Sequence, residues 1–371
     1  MKTCWGFVAT VLLVVGAGAG AAEQSTSTGA TGVIEHFGLE QAATPVSERP
    51  GWRKPKRILV TGAFPGIVEM LQPSAPGIEL IVAKAGEEAA QAAKADAVIG
   101  LCTPEILAAG KSIKWIQLFS AGVERCVSIP GVAERNLLVT NMQRIGGPVI
   151  AEHVMAMALT FVRGIDGYVE LQERSEWRRG PPPGRRMSVV EGKTMLVVGL
   201  GGIGTEVAQR AHALGMKVTA TRASSRTGPQ FVSYVGLPDE LPKLAAEADF
   251  VVNAAPLTPQ TTGIFDAAFF AKMKPTAYFI NIARGRSVVT AALVEALNNG
   301  KIAGAGLDVT DPEPLPAEHS LWKARNVIIT PHVASDSDVG SDAQLQVVRE
   351  NLRRYVAGDK MLSVVDVARG Y

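Results

Sequence analysis

The feature that most constrains the fold is a glycine cluster, Gly199-Leu200-Gly201-Gly202-Ile203-Gly204. It directly follows the apolar run Thr194 to Val198 and precedes a helix-like stretch that ends near Leu214. Glycines between a strand and a helix permit a tight turn and let a pyrophosphate approach the helix N–H groups. The spacing alone is weak evidence, but in this context it predicts a dinucleotide-binding unit. The predicted contacts are Gly199, Gly201, Gly202, Ile203 and Gly204.

The end of the next strand bears on the choice of dinucleotide. The strand Lys217 to Ala220 is followed by Thr221 and Arg222, and then by Ser224-Ser225-Arg226. A carboxylate there would accept from a free ribose 2′-hydroxyl, whereas a guanidinium can fork onto a 2′-phosphate. With two arginines and no carboxylate, we expect NADP to be preferred over NAD, with Arg222 as a contact. The alternative is that Arg222 stacks on adenine or lies in solvent.

A second series of short apolar runs precedes the glycine cluster and alternates with helix-like stretches. The runs are Arg57 to Thr61, Ile78 to Ala83, Ala97 to Leu101, Ile116 to Leu118 and Leu138 to Thr140. Such alternation indicates a parallel sheet with helices on both faces. A chain of 371 residues has room for two such units. We therefore expect an α/β fold of two Rossmann-like or flavodoxin-like domains, with the active site in the cleft between them.

The segment between the two series is apolar on nearly every face. Residues Ile150 to Val162 therefore predict a buried connecting helix. Glu152 and His153 lie inside this run, and we expect them to form a satisfied pair in the core.

The amino-terminal residues resemble a targeting segment. Lys2 precedes the apolar run Phe7 to Val15 and the small residues Gly16 to Ala22, which predicts a signal peptide over residues 1–22 and a periplasmic or secreted protein. An uncleaved membrane anchor is one alternative, and a misassigned start with a cytoplasmic body is another. Residues 23–55 are Ser/Thr-, Ala- and Pro-rich, which predicts a linker or loosely attached extension. Free NAD(P)H is not expected outside the cytoplasm, so export and cofactor use are in tension.

Charge and cysteine content exclude several kinds of site. The chain has 37 basic and 35 acidic residues, spread along its length, so no basic face for nucleic acid is expected. Its three cysteines, Cys4, Cys102 and Cys126, form no CxxC pair, and no metal site is expected. We interpret them as buried or incidental thiols, although an exported chain could join Cys102 to Cys126.

Four later motifs carry a family resemblance. They are Asn253-Ala254-Ala255-Pro256-Leu257-Thr258-Pro259-Gln260-Thr261, Asn281-Ile282-Ala283-Arg284-Gly285, Gly306-Leu307-Asp308-Val309 with Glu313-Pro314, and Thr330-Pro331-His332. Together with Ser120-Ala121-Gly122-Val123-Glu124 they resemble the D-isomer-specific 2-hydroxyacid dehydrogenases, over roughly residues 57–371. The resemblance implies a substrate domain built from both chain ends, at 56–150 and 322–371. It also implies an NAD(P)-binding Rossmann domain at 151–321 and a homodimer.

The resemblance also assigns residues to the two ligands. It implies that the cofactor is contacted by Ala255, Pro256, Thr261, Ala283 and Asp308. It implies that the backbone amides of Ala121, Gly122 and Val123 hold the substrate carboxylate, together with Arg284.

Three side chains suit the chemistry of 2-oxo acid reduction. Arg284 can hold the carboxylate and polarise the carbonyl, because its planar fork keeps its charge. His332 can donate the proton, and Glu313 would orient its ring and favour the protonated form. We therefore predict Arg284, Glu313 and His332 as catalytic residues of an oxidoreductase acting on small 2-oxo or D-2-hydroxy acids of the glyoxylate and hydroxypyruvate type. The alternative is a dinucleotide-sensing binding protein on the same scaffold.

Overall fold

The computed structural model describes residues 30–61, 65–338 and 340–370, and the predicted signal peptide lies outside this part of the chain. The first domain contains a five-stranded parallel sheet in the order β2-β1-β3-β4-β5, which is the flavodoxin-like order. Its strands are β1 Arg57–Val60, β2 Glu79–Val82, β3 Ala97–Ile99, β4 Trp115–Gln117 and β5 Leu138–Thr140. Its first helices are α1 Ala30–Phe37, α2 Ile67–Leu71, α3 Glu88–Ala92, α4 Pro104–Ala109 and α5 Glu124–Val127.

The second domain contains a seven-stranded parallel sheet in the order β12-β11-β10-β9-β6-β7-β8. The chain enters it through α6 Gly147–Arg163 and α7 Ile165–Glu173. Its strands are β6 Thr194–Val198, β7 Lys217–Thr221, β8 Tyr234–Gly236, β9 Phe250–Asn253, β10 Tyr278–Asn281, β11 Gly304–Leu307 and β12 Val327–Ile329. Its helices are α8 Gly202–Ala213, α9 Leu241–Glu247, α10 Ala267–Phe270 and α11 Thr290–Asn298. The expected fold class of two parallel-sheet α/β domains is confirmed.

The order of the second sheet reverses beside β6. Strands β7 and β8 lie on one side of β6, and β9 to β12 lie on the other. In open α/β sheets a ligand binds outside the carboxyl ends of the strands at this kind of reversal. The glycine cluster follows β6 directly, so the topology places it at the reversal.

The chain returns to the first domain later than predicted. The predicted boundary at residue 322 would place β12 in the substrate domain, but β12 pairs in parallel with β11 in the seven-stranded sheet. Ala334 still packs in the core of the second domain. The last helix, α12 Gly340–Ala357, packs in the core of the first domain. The crossing therefore lies between Ala334 and α12, because β12 needs β11 as its hydrogen-bonding partner.

The expected loose extension is wrong for residues 30–55. Helix α1 packs against α12, and Val33, Leu39 and Val46 are buried in the same core as Leu352. The composition of this segment lacks an apolar period, yet these apolar side chains are enough to attach it.

Helix α6 is buried as expected. Its residues from Ile150 to Val162 contribute to the core of the second domain, and it packs against α8. Within the described residues no single helix has the length and apolar composition to span a bilayer, and only α6 and α7 together reach them, with a 70° bend between.

Candidate active site

The dinucleotide loop, Gly199 to Gly204, combines close packing with open space. Gly199 has a φ of +93°, and a Cβ there would lie 2.6 Å from the Cα of Ala255. A Cβ on Gly204 would lie 2.1 Å from the carbonyl oxygen of Gly199. Gly201, in contrast, has no atom within 4 Å of a Cβ position, and no side chain caps the N terminus of α8. This cradle fits a pyrophosphate, which would accept from the free helix N–H groups.

Arg222 lies at the carboxyl end of β7. Its backbone N–H donates to the carbonyl of Gly236 at 3.0 Å, and its Nη1 donates to the carbonyl of Thr227 at 3.1 Å. The remaining guanidinium N–H groups can reach a ligand, because only one of the five donors is engaged within the described residues. No acidic side chain stands at Thr221 or Arg222, as the sequence indicates.

Arg226 is committed elsewhere. It pairs with the carboxylate of Glu240 and lies 3.0 Å from the hydroxyl of Tyr234. Hydrogen bonds from the Tyr234 hydroxyl, the Leu237 N–H and Arg226 lower the pKa of Glu240 to about 2. Glu240 therefore stays ionised and keeps its hold on Arg226. The charge of Arg226 is therefore paired with a carboxylate, whereas no ion pair engages Arg222 within the described residues, so we expect Arg222 to be the stronger phosphate contact.

Two further loops at the same sheet edge hold the predicted cofactor contacts. The Thr261 hydroxyl donates to the carbonyl of Pro256 at 2.6 Å and accepts from the Thr258 N–H at 2.7 Å. Thr261 therefore shapes the loop after β9, in which Ala255 and the exposed Pro256 lie. Ala283 is buried just after β10.

Asp308, at the end of β11, organises the loop that carries His332. Its side chain is 2 % exposed and accepts from the Thr330 hydroxyl at 2.7 Å and from the N–H groups of Val333 and Ala334 at 3.0 and 3.1 Å. The backbone N–H of His332 donates to the carbonyl of Asp308 at 2.8 Å. These bonds hold His332 at a φ of +58°, in the left-handed region. The predicted contact of Asp308 with the nicotinamide end remains a prediction.

His332 and Glu313 are brought together as predicted. Nδ1 of His332 lies 3.2 Å from Oε2 of Glu313, and the side chains are 50 % and 34 % exposed. The other oxygen of Glu313 accepts from the Thr310 N–H at 3.0 Å. With Nδ1 directed at Glu313, Nε2 of His332 is the nitrogen available to a substrate.

Arg284 meets the substrate domain through Glu124. Its Nε lies 2.6 Å from Oε1 of Glu124, its Nη2 lies 3.3 Å from Oε2, and its Nη1 donates to the carbonyl of Ala283 at 2.7 Å. The guanidinium also lies directly on Gly122, where a Cβ would be 1.7 Å from Nη2. The substrate loop, Ser120 to Glu124, and Arg284 therefore face each other across the cleft.

The ion pair with Arg284 keeps Glu124 charged. Burial raises the pKa of Glu124, but the hydrogen bond and the charge of Arg284, with smaller contributions from the Glu124 N–H and from Arg125, hold this pKa below its ordinary value. The sequence motifs assign no role to Glu124. Its position directly after Ala121-Gly122-Val123 is the one sequence signal that could have indicated it.

The expected core pair of Glu152 and His153 is wrong. Glu152 is 73 % exposed and lies 3.5 Å from Arg210, because successive helix positions face different directions. His153 instead places Nε2 at 2.9 Å from the Thr330 hydroxyl, which itself donates to Asp308. His153 therefore links α6 to the loop that carries His332.

The interpretation of the cysteines as free thiols is wrong for Cys102 and Cys126, while Cys4 lies outside the described residues. Cys102 and Cys126 form a disulfide with a Cα–Cα distance of 5.3 Å. Cys126 is buried on α5, two residues beyond Glu124, so the bridge ties the substrate loop to the segment after β3. In the part of the chain that the structure describes, no group of three or more His, Cys, Asp or Glu side chains could hold a metal ion.

Comparison with known proteins adds independent information. Residues 155–334 match the family model described as "D-isomer specific 2-hydroxyacid dehydrogenase, NAD binding domain". The chain is 34 % identical over 275 residues to the glyoxylate/hydroxypyruvate reductase A of Photorhabdus laumondii, covering 72 % of this chain and 84 % of that one. It is 33 % identical over 260 residues to the human glyoxylate reductase/hydroxypyruvate reductase, covering 69 % and 78 %.

A solved structure agrees with these relatives. The fold is similar to that of an NADPH-dependent glyoxylate/hydroxypyruvate reductase from Sinorhizobium meliloti in complex with NADP and sulfate. The TM-score is 0.71 at 29 % identity, and the match covers 85 % of this chain and all of the other.

Proposed function

Because the chain belongs to the D-isomer-specific 2-hydroxyacid dehydrogenase family, whose members are NAD(P)-dependent oxidoreductases, we propose that it reduces small 2-oxo acids of the glyoxylate and hydroxypyruvate type with NADPH. The observation that carries the proposal is that the dinucleotide loop, Arg284 and the pair of His332 with Glu313 all lie after strands of the same parallel sheet, at its carboxyl edge. The two named relatives support the substrate class.

The residues at the cleft divide the reaction between them. Arg284 binds the carboxylate of the 2-oxo acid and draws charge onto the carbonyl oxygen. His332 donates a proton from Nε2 to that oxygen, while Glu313 orients the ring through Nδ1. The dinucleotide loop would hold the reduced nicotinamide cofactor, which when bound would supply the hydride for the carbonyl carbon. The product is a 2-hydroxy acid, and the reverse reaction uses the same groups.

The preference for NADPH is supported by Arg222 at the end of β7 and by the absence of a carboxylate beside it. The solved reductase from Sinorhizobium meliloti binds NADP. Arg226 does not support the preference for NADPH, because its guanidinium forms an ion pair with Glu240.

The experiment measures NADPH and NADH oxidation with glyoxylate, hydroxypyruvate, pyruvate and phenylpyruvate as substrates. We expect turnover with the first two and a higher kcat/KM with NADPH than with NADH. In Arg222→Gln the preference for NADPH should fall, whereas Arg226→Gln should keep it. Tight dinucleotide binding without turnover on any 2-oxo acid would favour the dinucleotide-sensing alternative and contradict the proposal.

We also propose a homodimer. The support is a set of exposed apolar side chains on α6, α7 and the loop that follows them. They are Leu159, Ile165, Val169, Trp177 and Val189, of which Trp177 is 95 % exposed. Isolated apolar side chains on a surface are ordinary, but several on two successive helices and the loop that follows them are typical of an interaction site. Sedimentation equilibrium should give twice the chain mass, and Val169→Lys should shift it toward the monomer. A monomeric wild-type protein at micromolar concentration would contradict this part.

We further propose that the protein is periplasmic or secreted. The support is the pattern of residues 1–22 together with the bridge between Cys102 and Cys126, since disulfides persist in oxidising compartments. Cell fractionation followed by thiol labelling of Cys102 and Cys126 tests the location and the redox state together. Recovery from the cytoplasm with both thiols free would overturn the proposal. A cell-surface fraction that needs detergent would identify the anchored alternative instead.

A further inference from the structure

Arg284 is not a free cation in this structure, because a carboxylate from the other domain already occupies its fork. We propose that Glu124 is a positioning residue for Arg284, which sets both the direction of the guanidinium and its attraction for the substrate carboxylate. The inference rests on the proposed function, since it assumes that Arg284 binds a 2-oxo acid. It concerns a residue to which neither the sequence nor the family match assigned a role.

The hydrogen-bond inventory of the guanidinium shows how Glu124 determines its direction. An arginine side chain has five N–H groups. Nε and one N–H of Nη2 face the two oxygens of Glu124, and one N–H of Nη1 faces the carbonyl of Ala283. One N–H remains on Nη1 and one on Nη2, which is enough for a single carboxylate or for a carboxylate oxygen and the neighbouring carbonyl.

The position of the pair ties this geometry to the substrate loop. Nη2 lies where the side chain of residue 122 would be, so the guanidinium rests on Gly122 next to the backbone amides predicted to hold the carboxylate. Glu124 is the first residue of α5, and the carbonyl of Ala121 is held by Asn141 at 2.7 Å. The loop that presents Glu124 is therefore itself fixed, so Glu124 can hold Arg284 rather than follow it.

The charge of Glu124 has a separate effect. The two side chains are 29 % and 30 % exposed, so the attraction between them is only partly screened. Arg284 holds the pKa of Glu124 below its ordinary value against the effect of burial, and the carboxylate therefore neutralises Arg284 at neutral pH. A substrate anion is attracted less strongly to a neutralised guanidinium than to a free one. Glu124 should thus improve turnover by orientation and weaken binding by charge.

Two substitutions separate these effects. Glu124→Gln keeps the length of the side chain and removes the charge, whereas Glu124→Asp keeps the charge and shortens the reach by one methylene group. Glu79→Gln is the matched control, because Glu79 lies 2.6 Å from Nε of Arg57 in an exposed ion pair between the first residues of β1 and β2, at the opposite ends of these strands from the cleft. Thermal unfolding of all variants shows whether each one folds.

The readouts are the KM and kcat for glyoxylate with NADPH and the Kd of oxamate, a carboxylate probe that is not reduced. For Glu124→Gln we expect KM and the oxamate Kd to fall about fivefold, because the negative charge beside Arg284 is lost. We expect kcat to fall about tenfold, because the amide offers the guanidinium one acceptor oxygen where the carboxylate offers two. For Glu124→Asp we expect KM near that of the wild type and a lowered kcat. Glu79→Gln should change none of these values.

A Glu124→Gln variant in which KM rises, or in which neither KM nor kcat changes, would count against the role of Glu124. An unchanged oxamate Kd in Glu124→Gln overturns the proposal, as does an oxamate Kd that rises. A purely structural role would lower the unfolding temperature and the active fraction while leaving KM and the oxamate Kd in place. If the wild type binds oxamate but reduces no 2-oxo acid, the proposed function fails and the oxamate Kd of Glu124→Gln still decides the role of Glu124. Absence of oxamate binding in every variant overturns the proposal.

Discussion

The two glycine-containing loops at the cleft differ in what lies beside their glycines. The dinucleotide loop leaves the space over Gly201 open, with no atom within 4 Å of a Cβ position there. The substrate loop has its equivalent space over Gly122 filled by the guanidinium of Arg284. The dinucleotide loop therefore has space beside Gly201 that no protein atom fills. The corresponding space in the substrate loop is filled by the side chain of Arg284, the predicted catalytic cation, which is paired with Glu124.

The contrast shows that glycine serves two purposes in one active site. At Gly199 and Gly204 its absent side chain permits close packing of the protein against itself, and at Gly201 it leaves room for a ligand. At Gly122 it leaves room for the guanidinium of Arg284, which we predict to be catalytic. A substitution in each loop should consequently damage a different step, and the following experiments use that difference.

The largest expected effect comes from removing the proton donor while leaving the open loop intact. His332→Ala should lower kcat about 10³-fold, because general acid catalysis is lost, and leave the Kd for NADPH unchanged. Stopped-flow NADPH oxidation and fluorescence titration measure the two quantities. His212→Ala is the control. His212 stacks on Phe231 and lies near the carboxyl end of α8, at the opposite end of this helix from the dinucleotide loop. Wild-type turnover in His332→Ala would contradict the predicted mechanism.

Adding a side chain at Gly122 in the substrate loop should have the next largest effect. Gly122→Ala places a methyl group 1.7 Å from Nη2 of Arg284 and 3.0 Å from Oε2 of Glu124, so the guanidinium must move. Because misplacing a catalytic group by about 1 Å can cost 10²-fold, we expect kcat/KM for glyoxylate to fall about a hundredfold. NADPH binding, measured by fluorescence, should not change. An unaltered kcat/KM would show that Arg284 works equally well from another position.

Filling the open loop should have the smallest effect and a different readout. In Gly201→Ala the methyl group meets no protein atom, so the unfolding temperature should stay the same or rise slightly. The methyl group occupies space that the pyrophosphate needs, and the Kd for NADPH and NADH should rise roughly tenfold. Equal affinity in the variant would mean that the dinucleotide approaches another part of α8.

The sequence indicated the parts of the fold that depend on local pattern. Alternating apolar runs predicted both parallel sheets, and the glycine cluster predicted the turn between β6 and α8. The strand orders were not accessible in this way, because the pairing of β1 with both β2 and β3 depends on how helices pack across the sheet. The return crossing was misplaced for the same reason, since the short strand β12 is defined only by its partner β11.

The residues of the candidate site also fall into those that local motifs indicate and those that only the tertiary structure brings together. Arg284, Glu313 and His332 stand in recognisable motifs, and the structure brings His332 and Glu313 within 3.2 Å of each other. Glu124 is 160 residues away from Arg284 in the chain, so only the arrangement of the two domains brings them into contact. The bridge between Cys102 and Cys126 likewise depends on where the segments after β3 and β4 end.

The connectivity of the two domains makes the first domain depend on two segments that are far apart in the sequence. Segments 30–61 and 340–370 meet in one core, where Val33 and Leu39 pack with Leu352 and Met361, while the cofactor half is a single uninterrupted stretch between them. A deletion in either of these segments therefore destabilises the same domain, the first. After such a truncation the second domain would keep its dinucleotide loop but would face no folded first domain. We therefore expect activity to be lost through deletions that remove none of the predicted catalytic residues.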